Sequence, residues 1–247
     1  MSGHSKWATI KRKKAATDAK RSKVFSKIVK EINIAIKEGG PDVDTNARLR
    51  LAIQNGKGVN MPKDSINRAI SKASDKDSAS YQEVTYEGYA PAGIAIFVEC
   101  TTDNIKRTVS SVRAIFGKHG GNMGVSGSID YMFNRKGVFA VKQGELNEDD
   151  FTLDIIDAGA EDVELEGGIF NVTTAIEDYG KMQKKLEELN VEVESADLER
   201  IAGDLMEIDP EDAKKVINLI DVLEEDEDVQ NVFHNMELSD EIVESLT

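Results

Sequence analysis

Four side chains in this sequence could act as nucleophile, base or soft metal ligand: His4, His119 and His234, its only histidines, and Cys100, its only cysteine. Metal centres built from such donors usually place ligands a few residues apart on one element, and these four are scattered along the chain. A reactive cysteine needs a basic neighbour to lower its thiol pKa. None lies near Cys100, which closes the apolar stretch from Gly93, so a buried, inert thiol is expected. His4 stands among lysines and reads as a polar contact. Gly120-Gly121, with Gly124 and Gly127, could cradle a phosphate through backbone N–H groups. No Lys-Ser/Thr follows, so a helix stop and turn is the better reading. With 46 Asp and Glu residues, chance carboxylate pairs are expected. Glu145, Glu148, Asp149, Asp150, Asp154 and Asp157 sit where helix-entry and surface acids belong. The nucleotide-binding, zinc-protease, nucleophile-elbow and calcium-loop signatures are all absent. No catalytic residue, metal or cofactor is expected.

Phosphate neutralisation is the chemistry the sequence does advertise. Residues 1–80 carry 18 Lys and Arg against 8 Asp and Glu, a net +10, whereas residues 81–247 carry 13 against 38, a net −25. Within the first 30 residues the ratio is 10 to 1. Such polarity points to nucleic-acid contact by one end. Lys6, Lys11, Arg12, Lys13, Lys14, Lys20, Arg21 and Lys23 are the candidate phosphate ligands of this arm, and Lys63 extends the basic surface. Arg48, Arg50, Asn67 and Arg68 could read bases from a rigid helix. Trp7 either stacks on a base or packs against the helical domain. The acidic remainder reads as a solvated surface that keeps the bulk of the chain away from polyanions.

These residues need elements to hold them. Residues 1–22 have no wide apolar face and read as an arm that orders on its target. From Val24 to Ile36, apolar residues recur at three- and four-residue steps, which predicts a helix over 23–38. Gly39-Gly40-Pro41 stops it. Asp44 or Thr45 can cap a second helix through Leu49, Ala52 and Ile53, ended by Gly56 and Gly58, and Pro62 can open a third. Ser74 to Ser80 has linker composition. The pattern then changes. Strands are expected at 83–89, 93–100 and 126–133, with a helix at 103–118 between the last two. A βαββαβ block follows over 137–198, with a hairpin around Gly167-Gly168; that order is ferredoxin-like. Leu205 to Ile208 reads as a further strand, Pro210 opens a helix, and Val229 to Phe233 reads as a last strand. The closing elements are too few for a domain of their own, so they are expected to complete the sheet begun at residue 81. The expected division is 1–79, then 80–133 with 201–247, then an inserted 134–200.

The longest purely apolar run, Ile94 to Val98, is far short of the ~18 residues of a membrane span. The N-terminus has no secretory apolar stretch and is Lys-rich rather than Arg-rich. A cytoplasmic protein is expected, one that does not engage a membrane.

Several long motifs resemble the YebC/PmpR family: Gly3-His4-Ser5-Lys6-Trp7-Ala8-Thr9-Ile10-Lys11, the stretch from Lys13 to Phe25, Gly39-Gly40-Pro41-Asp42, Asn60 to Ile70, and Tyr86-Glu87-Gly88-Tyr89-Ala90-Pro91-Ala92-Gly93. Thr9 stands where that family usually has Asn, and Asn55-Gly56-Lys57-Gly58 replaces a more Ala/Lys-rich run, with glycines expected to loosen the second helix's end. The resemblance implies an α+β protein: a basic three-helix N-terminal domain and two α/β domains, one inserted in the other. It further implies a cytoplasmic regulator of gene expression. Bacterial members are described as probable transcriptional regulators that bind DNA. Mitochondrial relatives act as translational activators, and other bacterial members look like ribosome-associated factors that assist difficult nascent sequences. Promoter DNA and ribosomal RNA are therefore the partners to weigh. The resemblance carries no catalytic residue; the basic arm is its nucleic-acid contact.

Overall fold

The structure, a computed structural model, describes residues 18–75, 80–239 and 241–243. Three helices come first: α1 (Asp18–Gly39), α2 (Ala47–Gly58) and α3 (Lys63–Ser74). Ile28, Ile32, Ala35 and Ile36 of α1 meet Leu49 and Ala52 of α2 and Ile66, Ala69 and Ala73 of α3 in one small core. Residues 32–36 are buried in succession, so the middle of α1 is covered on every side rather than along one stripe. The cap of α2 is Asn46, not Asp44 or Thr45. Its side chain accepts from Leu49 N at 3.0 Å and donates to the carbonyls of Ala35 and Gly40, both at 2.7 Å. Only that residue can satisfy the start of α2 and the end of α1 together.

Two four-stranded antiparallel sheets follow. The first has the order β3-β1-β2-β8, from β1 (Gln82–Tyr89), β2 (Ala95–Thr102), β3 (Asn122–Met123) and β8 (Val229–His234). Helix α4 (Ile105–Lys118) and helix α7 (Pro210–Glu225) cover one face, where Ile94, Ile96, Val98, Val112, Phe116, Val216 and Ile220 pack. On the other face, Ala95, Phe97 and Phe233 meet Ile129 and Phe133. Strand β2 is thus buried on both faces, which is why it reads as an unbroken apolar run.

The second sheet has the order β5-β6-β4-β7, from β4 (Phe133–Lys142), β5 (Ala160–Glu166), β6 (Ile169–Ala175) and β7 (Val193–Ala202). With α5 (Glu148–Ile156) and α6 (Tyr179–Glu188) between them, this is the ferredoxin-like arrangement. Phe139, Val141, Phe170 and Val172 pack under Phe151, Ile155, Met182 and Leu186. Full burial of each such side chain contributes about 1.5–3 kcal/mol. Gly167 and Gly168 turn the β5–β6 hairpin at φ 58° and 80°, a geometry that suits the twist of the strands. The chain enters this sheet at Phe133, leaves it at Ala202, and returns to place β8 beside β2.

Two expected strands are not formed. Residues 126–132 are turns and a 3-10 helix (Asp130–Met132), because the buried Glu87 carboxylate captures the backbone N–H groups of Gly127 at 2.6 Å and Ile129 at 2.7 Å. That bond pattern folds the segment onto β1 instead of extending it. Residues 205–208 contribute a single bridge, Met206 to Met236.

Candidate nucleic-acid interface

Helix α1 carries Lys23, Lys27 and Lys30 at spacings of four and three residues, which place them along one side of the helix. All three reach the segment where α7 ends and β8 begins. Lys23 Nζ donates to the carbonyl of Glu225 at 3.2 Å and Lys27 Nζ to that of Gln230 at 3.1 Å. Lys30 Nζ donates to the carbonyls of Glu227 at 2.6 Å and Thr101 at 3.1 Å, and to Asp228 Oδ1 at 3.0 Å. The carbonyls at a helix C-terminus are unsatisfied and carry the negative end of the macrodipole, so ammonium groups are at home there. The acidic run from Glu224 to Asp228, expected as solvated surface, is in this respect a seat for α1.

Asp228 is the centre of that seat. Its Oδ2 accepts from Arg107 Nη2 at 2.8 Å, Thr108 Oγ1 at 2.8 Å and Thr102 Oγ1 at 3.1 Å. Burial works against its charge, but the hydrogen bonds from Arg107, Lys30 and Thr108 outweigh it and hold the carboxyl at about 2. Lys30 also lies 5.6 Å from the ring centre of Tyr81.

Lys23 apart, the residues expected to contact nucleic acid fall into three groups. Lys6, Trp7, Lys11, Arg12, Lys13 and Lys14 lie outside the described residues, as do the side chains of Lys20 and Arg21, whose backbone belongs to α1. Lys63 and Arg68 are exposed on α3, joined by Lys72 four residues beyond Arg68; Arg68 Nε donates back to the carbonyl of Asp64. Arg48 and Arg50 are engaged within the chain. Arg48 donates to Glu31 at 2.7 Å, Glu38 at 2.7 Å and Glu83 at 2.6 Å, tying α1 and α2 to β1. Burial would lower its pKa, but those three carboxylates raise it. Arg50 Nη1 donates to the carbonyls of Val43 and Asp44, each at 2.7 Å. It lines, with Ile53, Lys57, Leu186 and Val193, a cleft of about 320 Å³ where α2 meets the second sheet. The three carboxylates engage Nε, Nη1 and Nη2 of Arg48, whereas the described bonds of Arg50 involve Nη1 alone.

The departure at Asn55-Gly56-Lys57-Gly58 turns out to be a docking point rather than a loose helix end. Asn55 Nδ2 donates to the carbonyl of Ala196 and its Oδ1 accepts from Ala196 N, both at 3.1 Å, so the side-chain amide pairs with β7 as a neighbouring strand would. A Cβ on Gly58 would stand 1.9 Å from the carbonyl oxygen of Glu194. Sequence reading did not single out Lys27, Lys30 or Asp228. The unusual density of lysine at helical spacing on α1 is the one signal that could have pointed to the first two.

Of the remaining candidate groups, His4 lies outside the described residues, and Cys100, His119 and His234 are placed as follows. Cys100 is buried in the first core, where burial, with Asp226 and Asp228 nearby, pushes its thiol up to about 12. His234 Nδ1 accepts from Met236 N at 3.2 Å, and His119 Nδ1 lies 3.3 Å from the Asn218 amide. Among the described residues no group of His, Cys, Asp and Glu is placed to hold a metal ion, and no helix is long and apolar enough to cross a membrane.

Comparison with known proteins agrees with this architecture. A solved structure of a conserved hypothetical protein from Aquifex aeolicus superposes with a TM-score of 0.84 at 43% identity, covering 92% of this chain and 94% of that one. Probable transcriptional regulatory proteins of Amoebophilus asiaticus and Bacillus licheniformis are each 48% identical over 239 residues, 96% of this chain, and span 98% and 100% of their own lengths. A relative from Chlorobaculum parvum, bearing the same description, is 47% identical over 248 residues, the whole of this chain and 99% of its own. Residues 5–76 match the TACO1/YebC N-terminal domain, and residues 81–236 match the TACO1/YebC second and third domain. Both matches run in order along one chain and the full-length relatives agree with them, so the chain belongs to the TACO1/YebC family.

Proposed function

We propose that this protein is a cytoplasmic regulator of gene expression that binds nucleic acid through its basic N-terminal region and acts without catalysis. The observation that carries this reading is the segregation of charge: 10 basic residues against 1 acidic in the first 30, ahead of two strongly acidic α/β units. Lysine and arginine displace counterions from phosphate, and phosphate contacts position a protein without specifying sequence. The exposed Lys63, Arg68 and Lys72 add further basic groups on α3. The description of the relatives as probable transcriptional regulatory proteins supports promoter DNA as the target. We assign the arm and helices to residues 1–79, a discontinuous domain to 80–133 with 201–247, and an inserted domain to 134–200; the course of the chain through the two sheets supports that division.

A second reading has its own support. Acidic units are awkward beside a long duplex, whereas a narrow basic end can enter an RNA-lined crevice while the rest stays outside. On this reading the protein is a ribosome-associated translation factor contacting ribosomal RNA. Crosslinking the tagged protein in cells, with bound DNA and RNA sequenced from one sample, separates the two. Discrete promoter peaks support the transcriptional role; a sharp ribosomal RNA peak supports the translational one. Recovery of neither above background overturns both.

A further inference from the structure

Arg50, Ile53, Gln54 and Lys57 follow one another at three- and four-residue steps on α2, so they share one face of that helix. Asn55 and Gly58 fasten α2 to β7. Beside that contact the shared face does not pack shut but lines the cleft of about 320 Å³. Across from it, Val191 and Val193 are half-buried, as is Ile53, and Leu186 closes the floor beneath them. Arg50 is held by Nη1 alone, on the carbonyls of Val43 and Asp44. That anchor fixes the guanidinium and leaves Nε and Nη2, an edge that fits two oxygens side by side, with no hydrogen bond among the described residues. Lys57 is exposed and has no ion pair among them either. Glu187 is the one acid in the lining, so two cations face one carboxylate.

We propose that this cleft binds a small monocarboxylate with an apolar tail. The carboxylate takes the Nε–Nη2 edge of Arg50 with Lys57 beside it, and the tail lies against Ile53, Val191 and Val193. Charge decides the class of ligand. Arg50 and Lys57 less Glu187 leave one positive charge in the lining, which a single carboxylate balances. A phosphate dianion would leave excess negative charge next to Glu187. Size agrees, since the cleft lies at the lower end of the volumes that take small ligands. Arg50 is half-buried, so its attraction for an anion is screened less by water than that of a surface arginine. A molecule seated here touches α2 and the second sheet at once, and holds the basic helical unit against the acidic one. The inference does not rest on the nucleic-acid reading above; it adds a second, separate ligand.

The test titrates the full chain with hexanoate and octanoate and follows its amide chemical shifts. Shifts should move saturably at Ile53, Val191 and Val193. Each buried methylene tightens binding about fourfold, so octanoate should bind roughly fifteenfold more tightly than hexanoate. R50Q should weaken octanoate binding about tenfold or more, as expected for loss of charge-assisted hydrogen bonds. K57Q should weaken it by up to about fivefold, as expected for an exposed ion pair. K57Q removes no described contact, so its effect cannot come from disturbed folding as that of R50Q could. Octan-1-ol binding as tightly as octanoate would overturn the carboxylate, and acetate binding as tightly would overturn the apolar tail. Octanoate affinity unchanged in both variants, shifts confined to other surfaces, or no shifts at millimolar octanoate would overturn the site. Each of these results leaves the nucleic-acid reading untouched, because that reading has its own crosslinking test.

Discussion

Lys30 Nζ and Asp228 Oδ1 meet at 3.0 Å across a sequence separation of 198 residues, joining the first helix to the turn that precedes the last strand. The Asp228 carboxyl is held at about 2, against about 4 for an ordinary aspartate. A carboxyl depressed by folding adds stability that is full above its unfolded pKa and is lost as pH falls through its folded one. For Asp228 that amounts to roughly 2–3 kcal/mol at neutral pH, disappearing between about pH 4 and pH 2. Urea unfolding of the parent chain and of Asp228→Asn at pH 7, 4 and 2.5 should show the deficit of the variant shrinking with acid. A deficit that stays constant down to pH 2.5 would mean that charge is not what Asp228 contributes.

Gly58 approaches β7 so closely that no side chain fits. In Gly58→Ala the new Cβ would collide with the Glu194 carbonyl, and backbone on both sides must move apart. Overpacking of this kind costs about 1–3 kcal/mol. The pairing of Asn55 with Ala196 lies one helical turn away and should weaken with it. Amide exchange at Ala196 reads that loss directly: it should accelerate in Gly58→Ala, and unchanged protection would show that α2 is not held by this approach.

Glu87 folds the 124–132 segment from a distance. Its two carboxylate oxygens each accept one backbone N–H. In Glu87→Gln one acceptor becomes a donor and faces an N–H, leaving a buried group unsatisfied at a cost of about 1–3 kcal/mol. Limited proteolysis should then cut within residues 124–129 while the two sheets stay intact. Resistance equal to that of the parent chain would place the hold on this segment elsewhere.

Cys100 offers a chemical clock for the first core. With its thiol pushed up to about 12, almost none is thiolate at pH 8. Against a free cysteine near pKa 8.5, that alone slows alkylation roughly a thousand-fold or more, and burial slows it further. Iodoacetamide at pH 8 should label Cys100 only as fast as the domain unfolds. Rapid labelling of the folded chain would contradict the burial described.

Much of this fold could be read from residue patterns, because the deciding forces were local. Apolar steps from Val24 to Ile36 announce α1, and Gly167-Gly168 announces the β5–β6 hairpin. Where a distant side chain decides, the pattern misleads. Ile129, Tyr131 and Phe133 alternate as in a strand, yet the Glu87 carboxylate, some 40 residues earlier, bends the segment into turns. The cap of α2 was expected at Asp44 or Thr45 and falls on Asn46 for a related reason: all three are good cap residues, and the carbonyls of Ala35 and Gly40 select Asn46. The candidate interface divides in the same way. Charge polarity is visible in composition, but the engagement of Arg48 by Glu31, Glu38 and Glu83 depends on three elements coming together. So does the seat of α1 on the acidic run, which no window of sequence contains.

The return of the chain from the second sheet to the first also sets an order of events at the ribosome. Strand β2 is the most apolar in the first sheet, and its outer edge is covered by β8, which is made only after the whole second sheet. Synthesis runs at about 5–20 residues per second, so that edge stands open for several seconds at least while the ferredoxin-like unit is completed. An open apolar edge is a template for pairing with other chains. During the same interval α1 has no Asp228 to rest on, and its lysines face solvent or the surrounding polyanion. The newly made chain is thus at once more adhesive and more basic than the finished protein, and both properties end with the emergence of the same short stretch from Asp228 to His234.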